Sequence, residues 1–554
     1  MPTITLNKDI LEKLIGKKLP LEELKDRISM LGTDLEKIEG NDIVVEVFPN
    51  RPDMLSEPGF ARALSSFIGA KTGLREYKTK KGGVDYRIII DKSVKEVRPH
   101  TACAIVKNLK FDDEKIREVI QLQEKLHVTF GRNRKKLAIG IYPLEKIKLP
   151  ITYIAKKPAE IIFRPLESER NMTSSEILEK HPAGKEYAHL LEGKKSYPIF
   201  IDANNEILSM PPIINSHLTG RVTTKTKDIF IECSGFDMRV LKQCLNIIVT
   251  SLADIGGEIY EMALEDGKQK VITPDLFPIE MALDLKYINK IIGMKFKEAD
   301  IKKLLERMGF GYRNKKVLVP PYRTDILHQI DLAEDIAIAY GYENFEPEIP
   351  NISTVGEESA FEIFKSRVTN ILVGLGMIET ISYHLSSKDI NNIKMLHEEP
   401  LVELENSLTA ERNILRSWVL PSIMQILSEN TNKEYPQNLF ELGNVFRPDK
   451  VCETGIKENI ELGMMMCGAE ADYTKAKQAA DAIMNALDLK CDCLPTKHGS
   501  FIQGRVAKIM IEKHEIGLIG EMHPGILDNF GLQMPVAAIE LDMQALFNIV
   551  MKNK

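Results

Sequence analysis

Cysteine is scarce in this chain. Cys103, Cys233, Cys244, Cys452, Cys467, Cys491 and Cys493 form an odd, scattered set with no C-x-x-C among them. The one close pair, Cys491 and Cys493, has no second Cys or His pair at finger-like spacing, which argues against structural zinc and a disulfide framework. Long apolar runs are missing as well. No stretch approaches the ~18 residues of a membrane span, and the opening Met1-Pro2-Thr3-Ile4 lacks a cationic start and an apolar core. A cytoplasmic, reduced, soluble protein is the expectation. Charge of one sign is not in excess: Lys+Arg 74 against Asp+Glu 80 leaves a net −6. That excludes a chain built mainly as a polycation but leaves room for local basic patches. Gly 34 and Pro 27 follow no period, so collagen-like or low-complexity material is excluded. There is no Walker loop, no G-x-G-x-x-G, no H-E-x-x-H and no G-x-S-x-G.

What is present is ordinary globular composition over a length too great for one core. Hydrophobic residues make up 44% and charged residues 28% of 554 positions. At about 150 residues per domain, three to five domains are expected.

An internal repeat orders them. Ile15-Gly16-Lys17-Lys18 leads through an amphipathic stretch to Leu31-Gly32, and Ile292-Gly293-Met294-Lys295 leads at the same glycine spacing to Met308-Gly309. Further on, Pro49-Asn50-Arg51-Pro52-Asp53 matches Pro321-Tyr322-Arg323-Thr324-Asp325, and the step from Asp53 to Gly69 equals that from Asp325 to Gly341. Each copy predicts a helix closed by glycine, a short strand, a P-x-R-x-D turn and a second apolar helix.

The copies differ in charge. Asp331, Glu334 and Asp335 stand where the first copy has Gly59, Arg62 and Ala63. At i, i+3 and i+4 they share one helix face near its start, and Asp325 can reach the same side. An all-oxygen set of this kind suits Mg²⁺ or Ca²⁺. A solvated acidic helix start is the alternative.

Between the modules, residues 78–83 read as a charged linker. Strands are expected at 86–90, 102–106, 137–141, 161–163 and 198–201, with a helix over 112–126. Arg132-Asn133-Arg134-Lys135-Lys136 is a candidate phosphate contact or else a solvated loop. The segment from Ser209 to Arg221 packs Ser, Asn, His, Thr and Arg around Pro211 and Pro212. The strand 228–235 puts Glu232 and Ser234 on one face. Such groups can line a pocket, although a structural origin is the favoured reading of the residues alone. Residues 347–353 read as an irregular connector, followed by a domain with helices at 362–375 and 472–487 and strands at 440–446, 507–511 and 538–541.

These motifs together carry a resemblance. Asn50-Arg51-Pro52-Asp53, Met210-Pro211-Pro212-Ile213-Ile214-Asn215-Ser216, Thr219-Gly220-Arg221-Val222-Thr223, Arg323-Thr324-Asp325-Ile326 with Asp331-Leu332-Ala333-Glu334-Asp335, Tyr340-Gly341-Tyr342 and Phe440-Glu441-Leu442-Gly443-Asn444-Val445-Phe446 span nearly the whole chain. The chain resembles the β subunits of phenylalanyl-tRNA synthetase, in the shorter form of archaea and the eukaryotic cytosol.

The resemblance implies an α+β multidomain fold in four parts. These are a winged-helix-like, DNA-binding-like module at 1–77, a mixed α/β editing domain at 84–267, a second such module at 268–346, and a class II synthetase-like antiparallel-sheet domain without catalytic motifs at 354–554. It implies an (αβ)₂ tetramer with an α subunit that uses ATP to charge tRNA(Phe), while the β chain hydrolyses mischarged Tyr-tRNA(Phe). Asp325, Asp331, Glu334 and Asp335 fall on the family's Mg²⁺ positions, and Ser209, Asn215, Glu232 and Ser234 on its editing pocket. No arginine stands just before Glu441, and the glycine-rich motif ending in arginine is absent near Gly517–Gly531, so no adenylate chemistry is expected of this chain. A stand-alone deacylase acting in trans and a non-enzymatic nucleic-acid-binding scaffold are the competing readings.

Overall fold

The computed structural model describes residues 2–267, 269–351 and 355–552. The chain divides into two compact units, Met1–Ile349 and Pro350–Lys554. The connector expected at 347–353 has no regular element as far as Asn351, and its last two positions lie outside the described residues. So do Thr354, Asn553 and Lys554 of the expected terminal domain, and Lys268 at the head of the expected second module.

In the first unit, the strand Thr3–Asn7 leads into helices Lys8–Ile15 and Leu21–Met30, strands Asp34–Glu39 and Asp42–Glu46, and helix Glu57–Phe67. The later segment runs through strand Ile279–Ala282, helices Leu285–Ile292 and Glu298–Arg307, strands Gly311–Arg313 and Lys316–Val319, and helix Gln329–Tyr340. Element order is the same, and in each three-stranded sheet the third strand lies between the first and second. Local chemistry explains the match. Gly16 and Gly293 close their helices at φ 79° and 78°, a left-handed cap open to glycine without strain.

Each P-x-R-x-D turn folds back on itself. Arg51 forks onto Asp53 at 2.9 and 2.8 Å, and Arg323 forks onto Asp325 at 2.8 and 2.7 Å. Arg307 ties the two modules together by donating to the Phe67 carbonyl at 3.1 and 2.9 Å and to the equivalent Ala339 carbonyl at 2.6 Å.

Between the modules lie two larger sheets. One has five strands, ordered Thr79–Lys80, Glu258–Tyr260, His100–Lys107, Ile229–Gly235 and Leu137–Pro143. The other has seven and ends in the hairpin Met262–Asp266 with Gln269–Thr273. That hairpin spans the boundary expected at 267, and Thr79–Lys80 of the expected linker pairs with Glu258–Tyr260.

Alternation along Ile229–Gly235 decides what faces what. Ile229, Ile231 and Cys233 belong to the core shared with helix Met238–Asp254, while Phe230 joins Tyr142, Tyr153 and Phe200 in a second core. Glu232 and Ser234 have the parity of Phe230 and therefore point away from that helix.

The second unit is built on a seven-stranded sheet, antiparallel except where Ile378–Glu379 pairs parallel with Gln437–Pro448. Phe440, Leu462 and Met464 pack with helices Ala360–Gly374, Tyr473–Ala486 and Met543–Lys552. Leu439, Val445 and Met465 pack with helix Leu420–Glu429 and Trp418. The whole is a mixed α/β, multidomain chain with several sheets.

Candidate functional site

A cavity of about 1020 Å³ opens between helix Asp113–Val128, strand Leu137–Pro143, helix Pro182–Tyr187 and the segment carrying Pro211 to Asn215. Glu232 and Asn215 line it. Glu232 is only 1% exposed. Its Oε1 lies 3.2 Å from the Tyr142 hydroxyl, which is also 3.4 Å from Asn215 Oδ1. Glu232 Oε2 and Ser209 Oγ are buried without a hydrogen-bond partner. Burial pushes the Glu232 carboxyl up to about 8, against the pull of Arg98 and of the Tyr142 and Ser234 hydroxyls.

Of the four residues expected here, Glu232 and Asn215 meet at Tyr142, and Ser209 stands beside Asn215 in strand register. Ser234 acts on Glu232 through its hydroxyl and is itself held by Arg98. Arg98 donates to its carbonyl at 2.6 Å and to its hydroxyl at 3.2 Å.

Sequence reasoning missed Tyr142, Gly140 and Arg98. Gly140 faces Glu232 across the strand pair, and a methyl there would stand 2.1 Å from the Tyr142 hydroxyl and 2.6 Å from Glu232 Oε1. A glycine inside the strand Leu137-Ala138-Ile139-Gly140-Ile141-Tyr142 was the available signal, since it marks a close approach.

The cationic turn divides. Arg134 donates to the Ile213 carbonyl at 2.9 Å, holds Glu124 at 3.1 Å and covers the Tyr187 ring at 4.3 Å. It therefore fastens the Asn215-bearing segment to the helix and is not free for a phosphate, while Arg132, Lys135 and Lys136 are exposed. Glu124, which burial alone would raise, is held down at about 2 by His127 and Arg134. His127 Nε2 accepts from the Ile139 amide at 2.8 Å, so its proton sits on Nδ1, toward Glu124.

The acidic helix start is organised by Arg323. Besides Asp325 it binds Asp335 at 2.7 Å. Asp331 caps the helix, accepting from the Leu327 and His328 amides at 2.7 Å each. Glu334 is exposed, and its carboxyl is raised by partial burial and then by Asp335, Asp331 and Asp325. Asp335 is likewise raised by burial, although Arg323 and Arg51 oppose this. The fit to a hard cation is good in donor chemistry and in the mutual repulsion that a cation would relieve. Arg323 already occupies oxygens of two of the four. Among the described residues, the acidic group whose oxygens converge within 4.8 Å is a different one, Asp34, Glu36 and Glu46.

In the second unit Glu441 is not open to a ligand. Arg416 Nη1 binds Oε1 at 2.7 Å and Ser382 binds Oε2 at 2.6 Å. Arg416 is 1% exposed, with its Nη2 unpartnered against Gly443, where a methyl would meet it at 2.0 Å.

Two family profiles match the chain, the tRNA synthetase B5 domain over residues 281–342 and the phenylalanyl tRNA synthetase beta chain CLM domain over 346–543. The phenylalanine–tRNA ligase beta subunit of Pyrococcus abyssi is 40% identical over 557 residues, covering 99% of this chain and 100% of that one. The subunit of the same name from Archaeoglobus fulgidus is 39% identical over 556 residues, with 99% of each chain covered. The crystal structure of an N-terminal fragment of the phenylalanyl-tRNA synthetase beta subunit from Pyrococcus horikoshii superimposes with a TM-score of 0.59 at 39% identity, over 61% of this chain and 99% of the fragment. With identity of this order running end to end, the chain belongs to the family of phenylalanine–tRNA ligase beta subunits.

Proposed function

We propose that this chain serves as the β subunit of a phenylalanine–tRNA ligase, pairing with an α subunit in an (αβ)₂ tetramer that charges tRNA(Phe) with phenylalanine at the expense of ATP. Its own chemistry is hydrolysis of tyrosine from mischarged Tyr-tRNA(Phe) in the Glu232 pocket. The observation that carries this is the pair of buried, unpartnered oxygens, Glu232 Oε2 and Ser209 Oγ, beside a cavity that Glu232 and Asn215 line.

Tyrosine differs from phenylalanine by one hydroxyl. A pocket that accepts a hydrogen bond from that group selects it strongly, because phenylalanine would leave the acceptor buried and unpaired. Glu232 and Asn215 supply such acceptors. A water then adds to the ester carbonyl and the ester C–O bond breaks. Tyrosine leaves as the acid, and the terminal ribose of the tRNA recovers its hydroxyl. Glu232 either receives the phenolic hydrogen bond or orients that water. The test is deacylation of Tyr-tRNA(Phe) by Glu232→Gln and Asn215→Ala chains, which is expected to be slow. Parent rates in both would sink the assignment.

The finer architecture goes with this reading. We take 1–77 and 268–346 as winged-helix-like modules, 84–267 as the editing domain with the edges noted above, and 354–554 as a class II-like domain whose site has closed around Arg416 and Glu441. Purified chain without α should therefore catalyse no phenylalanine-dependent pyrophosphate exchange; exchange above background would refute this.

Asp325, Asp331, Glu334 and Asp335 would hold Mg²⁺, which supplies local charge neutralisation and stiffness rather than a reaction step. Removing Mg²⁺ with a chelator, or making Asp331→Ala, should weaken association with α in sedimentation velocity. Unchanged assembly in both would count against the site.

A further inference from the structure

The Glu232 pocket contains one hydroxyl between two acceptors. Tyr142 Oη is 3.2 Å from Glu232 Oε1 and 3.4 Å from Asn215 Oδ1, yet it has a single hydrogen to give. Its ring is fixed by stacking on Phe230, at 5.7 Å between centroids and 26° between planes. Space for the arrangement exists because position 140 has no side chain. A tyrosine that merely filled the core would not need this clearance. Nor would the core leave Glu232 Oε2, on a residue 1% exposed, without a partner alongside it; the Ser209 hydroxyl acts on Tyr142 itself.

Two states follow from the hydrogen count. When Glu232 is a carboxylate, the Tyr142 hydrogen goes to it, and Asn215 Oδ1 is left free to accept. When Glu232 carries its own proton, it donates to Tyr142 Oη, which passes its hydrogen on to Asn215. The acceptor facing an incoming phenol therefore depends on the direction of one O–H bond. We propose that Tyr142 is a positioning residue of this pocket, coupling Glu232 to Asn215 so that the pocket presents a free acceptor to the tyrosyl hydroxyl. This rests on the deacylation reading above.

The other groups facing Glu232 are few. Among the described residues Arg98 is the one cation acting on it; Cys103, Tyr153 and the Ser234 hydroxyl are neutral, as is Cys233 next along the strand. Burial holds the carboxyl near 8, and the Tyr142 hydroxyl favours its charged form. Deleting that hydroxyl moves the titration of Glu232 to higher pH.

The test is hydrolysis of Tyr-tRNA(Phe) and Phe-tRNA(Phe) by the full chain assembled with α, across pH 6 to 9, with kcat and KM resolved. Tyr142→Phe keeps the stacked ring and removes only the oxygen. It is expected to lower the preference for tyrosyl over phenylalanyl ester about tenfold, the scale one hydrogen bond supplies. It should also move the limb of the pH profile set by Glu232 upward. Gly140→Ala presses a methyl into the same gap without replacing any of the three hydrogen-bonding residues, and should reduce the preference in the same direction. If Tyr142→Phe keeps the parent preference and pH profile while Glu232→Gln is slow, Tyr142 is a core residue and the proposal fails alone. If Glu232→Gln and Asn215→Ala also hydrolyse Tyr-tRNA(Phe) at the parent rate, the deacylation reading fails and takes this one with it.

Discussion

Arg51 and Arg323 occupy equivalent turns but carry unequal loads. Each forks onto the aspartate two residues on, and Arg323 in addition holds the buried Asp335. Lysine presents a point charge and cannot reproduce a fork, still less a fork with a second acid attached. Arg51→Lys is expected to cost about 1–2 kcal/mol and Arg323→Lys about 2–4 kcal/mol, because the first loosens one carboxylate, Asp53, and the second loosens two, Asp325 and Asp335. Urea unfolding followed by far-UV circular dichroism would show the order, and equal costs would contradict it. Arg416 offers a parallel case in the second unit. Arg416→Met leaves Glu441, 2% exposed, with only Ser382 as a hydrogen-bond partner, and should cost about 3–5 kcal/mol. Trp418, the single tryptophan of the chain, is buried in that unit and reports its unfolding by fluorescence. An unchanged midpoint would mean that Glu441 finds another partner.

At the scale of elements, what could be read from the sequence was what the backbone imposes locally. The glycine spacing of the repeat marks helix ends, because Gly16 and Gly293 sit at φ 79° and 78° with nothing within 4 Å of where a methyl would stand. Their replacement by alanine should therefore cost only the left-handed backbone penalty, about 1 kcal/mol at each site, and asparagine less. Thermal unfolding of the two single variants should show nearly equal losses; a much larger one at either site would reveal packing that the open surroundings do not suggest. Strand parity likewise placed Glu232 and Ser234 on one face. What could not be read was register between distant strands. Nothing near Glu232 announces that Gly140 lies opposite and Tyr142 reaches across, or that Arg98 claims Ser234. The acidic helix shows the same limit. Spacing puts Asp331, Glu334 and Asp335 on one side, but it does not say that Asp331 spends an oxygen on the helix cap and Asp335 on Arg323.

Over the whole molecule, buried carboxyls set how stability follows pH. Glu57 accepts from the Asn7 amide at 2.7 Å and Glu118 from the Glu57 amide at 2.9 Å, joining the first module to helix Asp113–Val128. Burial raises both to about 7, Glu118 being pushed further by Glu57, and Glu232 stands near 8. An unfolded glutamate titrates near 4.5. For these groups the folded state binds the extra protons, so their stabilisation is complete below 4.5 and is lost as pH rises through 7 to 8. Glu124, held near 2, works in the opposite sense, its contribution being present above 4.5 and lost as pH falls toward 2. His127, lowered by burial, opposes the raised carboxyls below pH 6.5, so stability of the first unit should peak near pH 5 and fall by about 2–4 kcal/mol by pH 8, a figure reduced for His127 and for the partial exposure of Glu57 and Glu118. In the second unit Glu540 is raised strongly by burial and by Glu461, while His498, lowered to about 4 by burial and by His397, opposes it below pH 6.5, so that unit should weaken mainly between pH 6.5 and 8. Urea titrations at pH 5, 6.5 and 8 separate the two, since fluorescence follows Trp418 while circular dichroism follows both units. Glu118→Gln keeps the acceptor for the Glu57 amide but cannot ionise, and it should flatten the dichroism-detected dependence while leaving the fluorescence-detected one intact. If stability of the first unit instead rises from pH 5 to pH 8, these carboxyls are charged in the folded chain and the burial argument fails at its base.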